Sequence, residues 1–229
     1  MTTQIKPADW KDVLHSELHA PWLNAGEVIE LCEKYGPTDF YRAKLQVGRQ
    51  YFYGLQQIYY EKRDRRGEVV LIIRNRQNRI LLHTKPFYPP NTFRLPTGGI
   101  KPNETVLQAL HRELAEETSF SPLFIHFRGL VLSSIVCARR KLGLCSYLFE
   151  VVTEGTHPHP MDSSENISGY EWVPRPYLAK VIEQLESFTV ERWRHWGEYR
   201  AVAHRIAAGL SHPSRKRSGA ERRLKNDPK

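Results

Sequence analysis

The chain has 229 residues, enough for one well-buried domain of about 150 residues with additions at its ends. Hydrophobic residues make up 40% of the chain, as in ordinary soluble globular proteins. The sequence shows neither a run of ~20 apolar residues for a membrane span nor a secretory signal, so a reducing cytoplasm is the expected location. The 3 cysteines form no CxxC pair, which argues against a disulfide framework or a zinc site, and the net charge of +9 favours polyanionic partners such as nucleotides or nucleic acid.

Residues 1–66 are predicted to form a helical extension. A short helix is expected at 28–34, where Gly36 and Pro37 follow and stop it. A longer helix is predicted over 38–62, because apolar residues recur there at alternating steps of four and three: Tyr41, Leu45, Gly48, Phe52, Leu55 and Tyr59. Such a stripe packs in a core or in a dimer interface, so these helices are a candidate surface for a homodimer.

The pattern changes to strands from residue 68 onward. Two apolar runs, 69–73 and 79–84, are joined by a polar turn and predict a hairpin. A proline-rich loop then leads to residues 92–99, where Arg94 is a candidate for contact with a phosphate or substrate. Gly98 and Gly99 end this segment, and their missing side chains would let the backbone come close to a metal or a phosphate.

A helix predicted over 104–118 separates an apolar face from an acidic one, with Asn103 as its expected N-cap. Its apolar residues recur at three- and four-residue steps, and the other side carries Glu113, Glu116 and Glu117. Carboxylates crowded in this way repel one another. The simple interpretation is that this charged face is only solvated. The alternative is that the carboxylates share a cation, and hard oxygen ligands of this kind suit Mg²⁺ or Mn²⁺.

Two further strands, at 123–136 and 145–153, a polar loop at 154–168 and helices at 178–185 and 191–208 complete the predicted order. The loop contains His157 and His159, but the prolines interleaved with them favour a stiff loop over a metal site. It also contains Glu165, shortly before Trp172. The basic residues 213–229 are predicted to be a disordered tail that aids solubility or contacts RNA.

The segment from Gly98 to Phe120 resembles the signature of the Nudix hydrolases, G-x5-E-x7-R-E-U-x-E-E-x-G-U, where U is a bulky apolar residue. Glu104, Arg112, Glu113, Glu116 and Glu117 all stand at signature positions, and Ser119 replaces the last glycine. That glycine would end the helix in a left-handed conformation, so we expect an altered helix exit at Ser119 at a cost of about 1 kcal/mol.

The resemblance implies an α/β fold, the Nudix-like α/β/α sandwich with a mixed β-sheet. It places the hydrolase domain at 67–186, after the helical N-terminal extension 1–66 and before a C-terminal helix at 187–212 and the tail 213–229. The implied activity is metal-dependent hydrolysis of the pyrophosphate linkage in a nucleoside diphosphate derivative, with ADP-ribose or a related nucleotide as candidate substrate and Mg²⁺ or Mn²⁺ as cofactor.

The resemblance also implies roles for single residues. Glu113, Glu116 and Glu117 would hold the metal, with a backbone carbonyl of the Gly98–Gly99 loop as a further candidate ligand. Arg112 and Glu104 would fix the orientation of these acids. In Nudix proteins an acid often precedes a strand with Trp-Val-Pro, so Glu165 is the candidate extra ligand or general base, with a helix acid as the alternative.

Two other functions remain open. The first is a non-catalytic Nudix-like module that senses a nucleotide, although no acid of the signature is missing. The second is an RNA 5′-end pyrophosphohydrolase, which the basic tail alone supports. Markers of particular substrates are absent, since Val136 stands where an ADP-ribose hydrolase tends to have proline and Ala138 where a dinucleoside-polyphosphate hydrolase tends to have tyrosine.

Overall fold

This computed structural model describes residues 4–8, 23–36 and 38–210. Its strands are β1 (Gln4–Ala8), β2 (Asp39–Gln46), β3 (Gly67–Arg74), β4 (Arg79–Thr84), β5 (Thr97–Ile100), β6 (Phe124–Cys137), β7 (Arg140–Val152) and β8 (Gly169–Pro174). Its α-helices are α1 (Ala25–Tyr35), α2 (Arg49–Gln56), α3 (Val106–Thr118), α4 (Leu178–Glu186) and α5 (Glu191–Ala207). A π-helical turn, Gln57–Glu61, continues α2. The tail predicted at 213–229 lies outside the described residues.

The strands form one open, mixed eight-stranded sheet in the order β1-β2-β6-β7-β3-β4-β8, and β5 pairs with β3 away from this row. β2 runs parallel to β6 and β3 parallel to β7, whereas the other pairs are antiparallel. β3 and β4 share only the pair Arg74 and Ile80, so β3 is left free to pair with β5 along its first half. This divergence brings the glycines of β5 to the centre of the sheet.

Helices cover both faces of the sheet, which confirms the predicted α/β/α sandwich. One hydrophobic core joins the sheet to α1 and α3, and a second core joins it to α2, α4 and α5. The residues of β3 are buried along nearly its whole length, because a strand between two helical layers has no solvated face. No helix among the described residues is long and apolar enough to cross a membrane.

The N-terminal extension is not wholly helical, so the helix predicted over 38–62 is wrong in its first part. Residues 39–46 form β2, and helix begins only at Arg49. Tyr41, Ala43 and Leu45 alternate with polar residues and are buried on one face. This period of two fits a strand as well as the period of 3.5 fits a helix, and pairing with β6 decides between them. The homodimer predicted through this region stays a prediction.

The other predicted elements are found with shifted ends. The hairpin corresponds to β3 and β4, the short N-terminal helix to α1, and the two C-terminal helices to α4 and α5. The predicted later strands correspond to β6 and β7, but β7 already begins at Arg140 where the turn was expected. Ser119 adopts the left-handed conformation that the replaced glycine would adopt, with φ of 60°, so the altered helix exit expected there is not found.

Candidate metal centre

Helix α3 is held at its first turn by two separate groups. Thr105, and not the predicted Asn103, is its N-cap: the Thr105 hydroxyl accepts from the Gln108 N–H, and the Gln108 side chain accepts from the Thr105 N–H. Glu27 of α1 accepts from the Val106 N–H at 2.6 Å. The helix therefore begins at Val106, two residues later than predicted, and the N-terminal extension supports it directly.

Three carboxylates meet beside the last two turns of α3. Oxygen atoms of Glu113, Glu116 and Glu165 all lie within 4.8 Å of one another, and this is the only such group of potential metal ligands found among the described residues. Glu113 is buried, and its burial raises its pKa even though Arg112 donates to it. Three acids at this spacing are a ready set of oxygen ligands for a divalent cation.

Glu117 lies deeper, with only 1% of its surface exposed. Neither of its carboxylate oxygens has a hydrogen-bond partner among the described residues. The nearest basic groups are Lys85 Nζ at 3.8 Å and the imidazole of His83, whose Nδ1 lies at 4.0 Å, and both are too distant for a hydrogen bond. Burial raises the pKa of Glu117 to about 8, and burial also lowers the pKa of His83 well below its usual value. A buried carboxyl without partners is costly unless a cation binds it.

Gly98 is required for the position of Glu113. A Cβ atom built on Gly98 would lie 1.6 Å from Glu113 Cδ, so any other residue at this position would force the Glu113 carboxylate to move. The neighbouring Gly99 accepts a hydrogen bond at its carbonyl oxygen from Arg112 Nη2, at 2.9 Å. The glycines were predicted to let the backbone approach a metal or a phosphate. At Gly98 the group that comes close is instead the carboxylate of Glu113.

The guanidinium group of Arg112 donates hydrogen bonds to three carboxylates and to the carbonyl of Gly99. Its Nε and Nη2 donate to the two oxygens of Glu104 at 2.6 and 2.8 Å, and its Nη1 donates to Glu113 and Glu116 at 2.7 and 2.9 Å. The bond to Arg112 lowers the pKa of Glu104, and the same pairing raises the pKa of Arg112. The pairing predicted between Arg112 and Glu104 is therefore present, and it sets the orientation of two acids of the cluster.

The loop that carries Glu165 is attached to the end of α3. Ser119 Oγ donates to the carbonyl of His159 at 2.8 Å, and the Met161 N–H donates to the carbonyl of Glu116 at 2.9 Å. A short 3₁₀ turn, Ser163–Glu165, then presents the carboxylate. The residue that departs from the signature, Ser119, thus helps to position the loop that completes the acid cluster.

Two further basic residues, Arg94 and Lys85, differ in how they relate to the acid cluster. Arg94 is buried and donates to Tyr88, Leu95 and Thr97, so it braces its own loop, and the predicted contact with substrate stays a prediction. Lys85 was missed by the sequence reasoning, yet it donates to Glu165 at 2.9 Å. Its signal is the two-residue step from His83, which places both side chains on one face of β4 and its extension.

The residues fit a divalent cation in number, type and charge. Three carboxylates lie within 4.8 Å of one another, bordered by the guanidinium group of Arg112 and the ammonium group of Lys85. Glu117, which was predicted as a ligand, is not one of these three, although its buried carboxylate lies on the same helix and has no hydrogen-bond partner among the described residues. Hard oxygen donors of this kind suit Mg²⁺ or Mn²⁺ better than softer metals. The arrangement can therefore hold a cation and, with it, the phosphate groups of a ligand.

Comparison with known proteins agrees with this chemistry. A family model described as the NUDIX domain matches residues 64–193. A protein of Coxiella burnetii named RNA pyrophosphohydrolase is 39% identical over 74 residues, which cover 32% of this chain and 32% of the relative. One of the same name from Pasteurella multocida is 30% identical over 145 residues, 56% of this chain and 70% of the relative. The chain thus spans about a third of the length of the first relative.

Solved structures also resemble the fold at low identity. The NUDIX domain of Shewanella oneidensis NrtR, complexed with ADP ribose, is 18% identical with a TM-score of 0.39, covering 61% of this chain and 86% of that one. A C. elegans Ap4A hydrolase is 16% identical with a TM-score of 0.40, covering 63% and 98%. These values are too low to support an inference about substrate.

Proposed function

Because this chain belongs to the Nudix family, we propose that it is a metal-dependent hydrolase that cleaves the pyrophosphate linkage of a nucleoside diphosphate derivative. The observation that carries the proposal is the meeting of Glu113, Glu116 and Glu165 within 4.8 Å, beside the helix that also carries the buried carboxylate of Glu117. ADP-ribose and related nucleotides remain the candidate substrates. We further propose the hydrolase domain at 67–186, within the span that the family model matches.

In this proposal the side chains of α3 bind and orient. Glu113, Glu116 and Glu117 hold Mg²⁺ or Mn²⁺, which when bound neutralises phosphate charge and lowers the pKa of a coordinated water. Arg112 keeps Glu113 and Glu116 in fixed rotamers through its bonds to both, and Glu104 holds Arg112 from behind.

Glu165 is proposed as an additional metal ligand or as the base that accepts a proton from the attacking water. Its distance from Glu113 and Glu116 supports ligation, since all three offer an oxygen to the same point. Lys85 donates to Glu165 and so holds its carboxylate toward the cluster. An exchange of Glu165 for glutamine separates the roles, because a ligand changes the metal concentration for half-maximal activity and a base chiefly lowers kcat.

The test is a panel of nucleotides incubated with Mg²⁺ or Mn²⁺, followed by measurement of phosphate release. Glu116→Gln should lower kcat by at least about 100-fold, because even outer partners of metal ligands are worth 10- to 100-fold. Glu183→Gln, an exposed acid of α4, is the matched control and should leave kcat unchanged. A wild-type chain inert across the whole panel would overturn the proposal and favour the nucleotide sensor.

The names of the two relatives favour a second candidate, removal of pyrophosphate from RNA 5′ ends. 5′-Triphosphorylated RNA therefore belongs in the panel. A variant chain that ends at Leu210 tests whether the basic tail contributes to RNA binding. If RNA binding is unchanged and small nucleotides are still cleaved, the tail gives no support to the RNA candidate.

A further inference from the structure

A cavity of about 480 Å³ lies between α5 and the helix formed by α2 and its π-helical turn. Both helices pack on the sheet face opposite α3, and none of the four acids of the metal centre lines the cavity. Its volume lies in the range of about 300–1,000 Å³ that is typical of small-molecule sites. It is therefore a second concave site that the proposed hydrolysis does not use.

The lining combines aromatic rings with arginines. Tyr51, Tyr59 and Trp196 contribute rings, and Arg65, Arg192 and Arg200 contribute guanidinium groups, against one acid at Glu191. Aromatic faces stack on planar rings, and guanidinium groups bind phosphate oxygens. Walls that offer both groups fit a ligand that carries both a flat ring and an anionic group.

Two of these arginines have a buried Nε atom. Arg65 Nε and Arg200 Nε are both buried and without hydrogen-bond partners among the described residues. Arg200 is held in place because its Nη1 donates to the buried carboxylate of Glu68 at 2.8 Å. The Nε atoms themselves are inaccessible, but Arg65 and Arg200 both line the cavity and place positive charge on its wall, which favours an anionic ligand.

The helix that forms one wall has two irregular features at the cavity. Gly54 lies inside α2 although glycine costs about 1 kcal/mol relative to alanine there, and a Cβ atom on it would meet nothing within 4 Å. The π-helical turn that follows carries Ile58 and Tyr59 into the lining. Such turns occur frequently at functional sites.

Arg65 connects this cavity to the metal centre. A Cβ atom on Gly99 would lie 2.9 Å from Arg65 Nε, so the guanidinium group lies directly against β5. The carbonyl of the same Gly99 accepts from Arg112, which orients two of the acids. A ligand on Arg65 would thus sit one strand away from the metal centre.

We propose that this cavity binds a nucleotide, with its base on the aromatic rings and a phosphate on Arg65 and Arg200, as a site separate from the metal centre. The metal centre requires a cation to hold phosphate, whereas this cavity supplies its own positive charge. Binding at this site therefore needs no divalent metal.

The test is titration calorimetry of the full chain with AMP in EDTA, which leaves the metal centre without cations. Gly54→Leu should weaken AMP binding at least about 10-fold, because the new side chain enters the cavity. The variant should melt no lower than wild type, since leucine is the better helix former. Gly26→Leu adds the same side chain to α1 and should bind AMP as wild type does. Glu116→Gln should also bind AMP as wild type does.

Adenosine alone and inorganic phosphate alone should each bind at least about 10-fold more weakly than AMP, since each offers half of the ligand. Arg65→Met should reduce the affinity for AMP but not for adenosine. No binding of AMP by the wild-type chain, equal binding by Gly54→Leu, or loss of binding in Glu116→Gln would each overturn the proposal. The measurement involves no turnover, so its failure leaves the proposed hydrolysis untouched, and an inert enzyme leaves this site untouched.

Discussion

Replacing Glu117 by glutamine should make the metal-free protein less sensitive to rising pH. The carboxyl of Glu117 is 1% exposed and its oxygens lack partners, so burial raises its pKa from the ordinary 4.5 to about 8. Below pH 4.5 both the folded and the unfolded chain carry the proton. Between pH 4.5 and 8 only the folded chain keeps it, so the free energy of unfolding falls as pH rises through this window.

The size of the effect follows from the same two values. Each pH unit inside the window is worth about 1.4 kcal/mol, so the wild-type chain loses about 3 kcal/mol between pH 4.5 and 7 through this one group. A glutamine cannot titrate and loses none of it. Any constant cost of burying its amide shifts the whole curve, but the difference between the two proteins should still grow with pH.

The assay is urea unfolding of both proteins in EDTA at pH 5, 6, 7 and 8, with the other titrating groups common to both. Thermal melting at pH 7 with Mg²⁺ or Mn²⁺ provides the second comparison, because a bound cation ionises Glu117 and should raise the melting temperature of wild type more than that of the variant. A difference in unfolding free energy that stays constant with pH, or equal stabilisation of both proteins by metal, would refute the reasoning.

Three further changes have predicted outcomes. Gly98→Ala places a methyl group where the Glu113 carboxylate lies and should lower kcat about 100-fold, because a displacement of ~1 Å can cost that much. Gly169→Ala is the control, since its Cβ would make only ordinary contact and should leave kcat unchanged. Equal steady-state rates of the two variants would contradict this. Arg112→Lys loses the paired bonds to a carboxylate and should lower kcat about 10- to 100-fold, and an unchanged rate would exclude an orienting role. Burial lowers the pKa of His204 to about 4, so the folded protein should lose about 3 kcal/mol as pH falls from 6.5 to 4. His204→Gln should abolish this part of the loss in urea titrations, and an unaltered acid limb would contradict it.

The sequence predicted the elements whose hydrophobic period is unambiguous. α3 and the β3–β4 hairpin have clear patterns, and the pattern of α3 also places Glu113 and Glu116 beside Arg112. The strand β2 was mistaken for helix because Tyr41 and Leu45 satisfy both periods, and only the partner strand β6 decides between them.

The groups that the sequence reasoning missed reach the metal centre through tertiary contacts. Lys85 and His83 lie far from α3 along the chain and meet Glu117 only because β4 is placed beside the end of that helix. Glu27 supports the first turn of α3 from a helix that precedes it by about 80 residues. The spacing of residues along the chain cannot predict such contacts. The signature residues could be predicted because they lie within one helix and the turn before it.

The parallel pairing of β2 with β6 determines how this protein can be divided. A fragment cut at residue 64, where the family model begins, would lack β1 and β2 and would leave the backbone groups along one side of β6 unpaired. β2 pairs with residues 129–136 of β6, and an open edge there, with buried residues such as Val131 and Ile135, is a template for aggregation. We therefore expect a fragment limited to the hydrolase domain to aggregate more readily than a chain that keeps β2, because β2 covers the edge of β6.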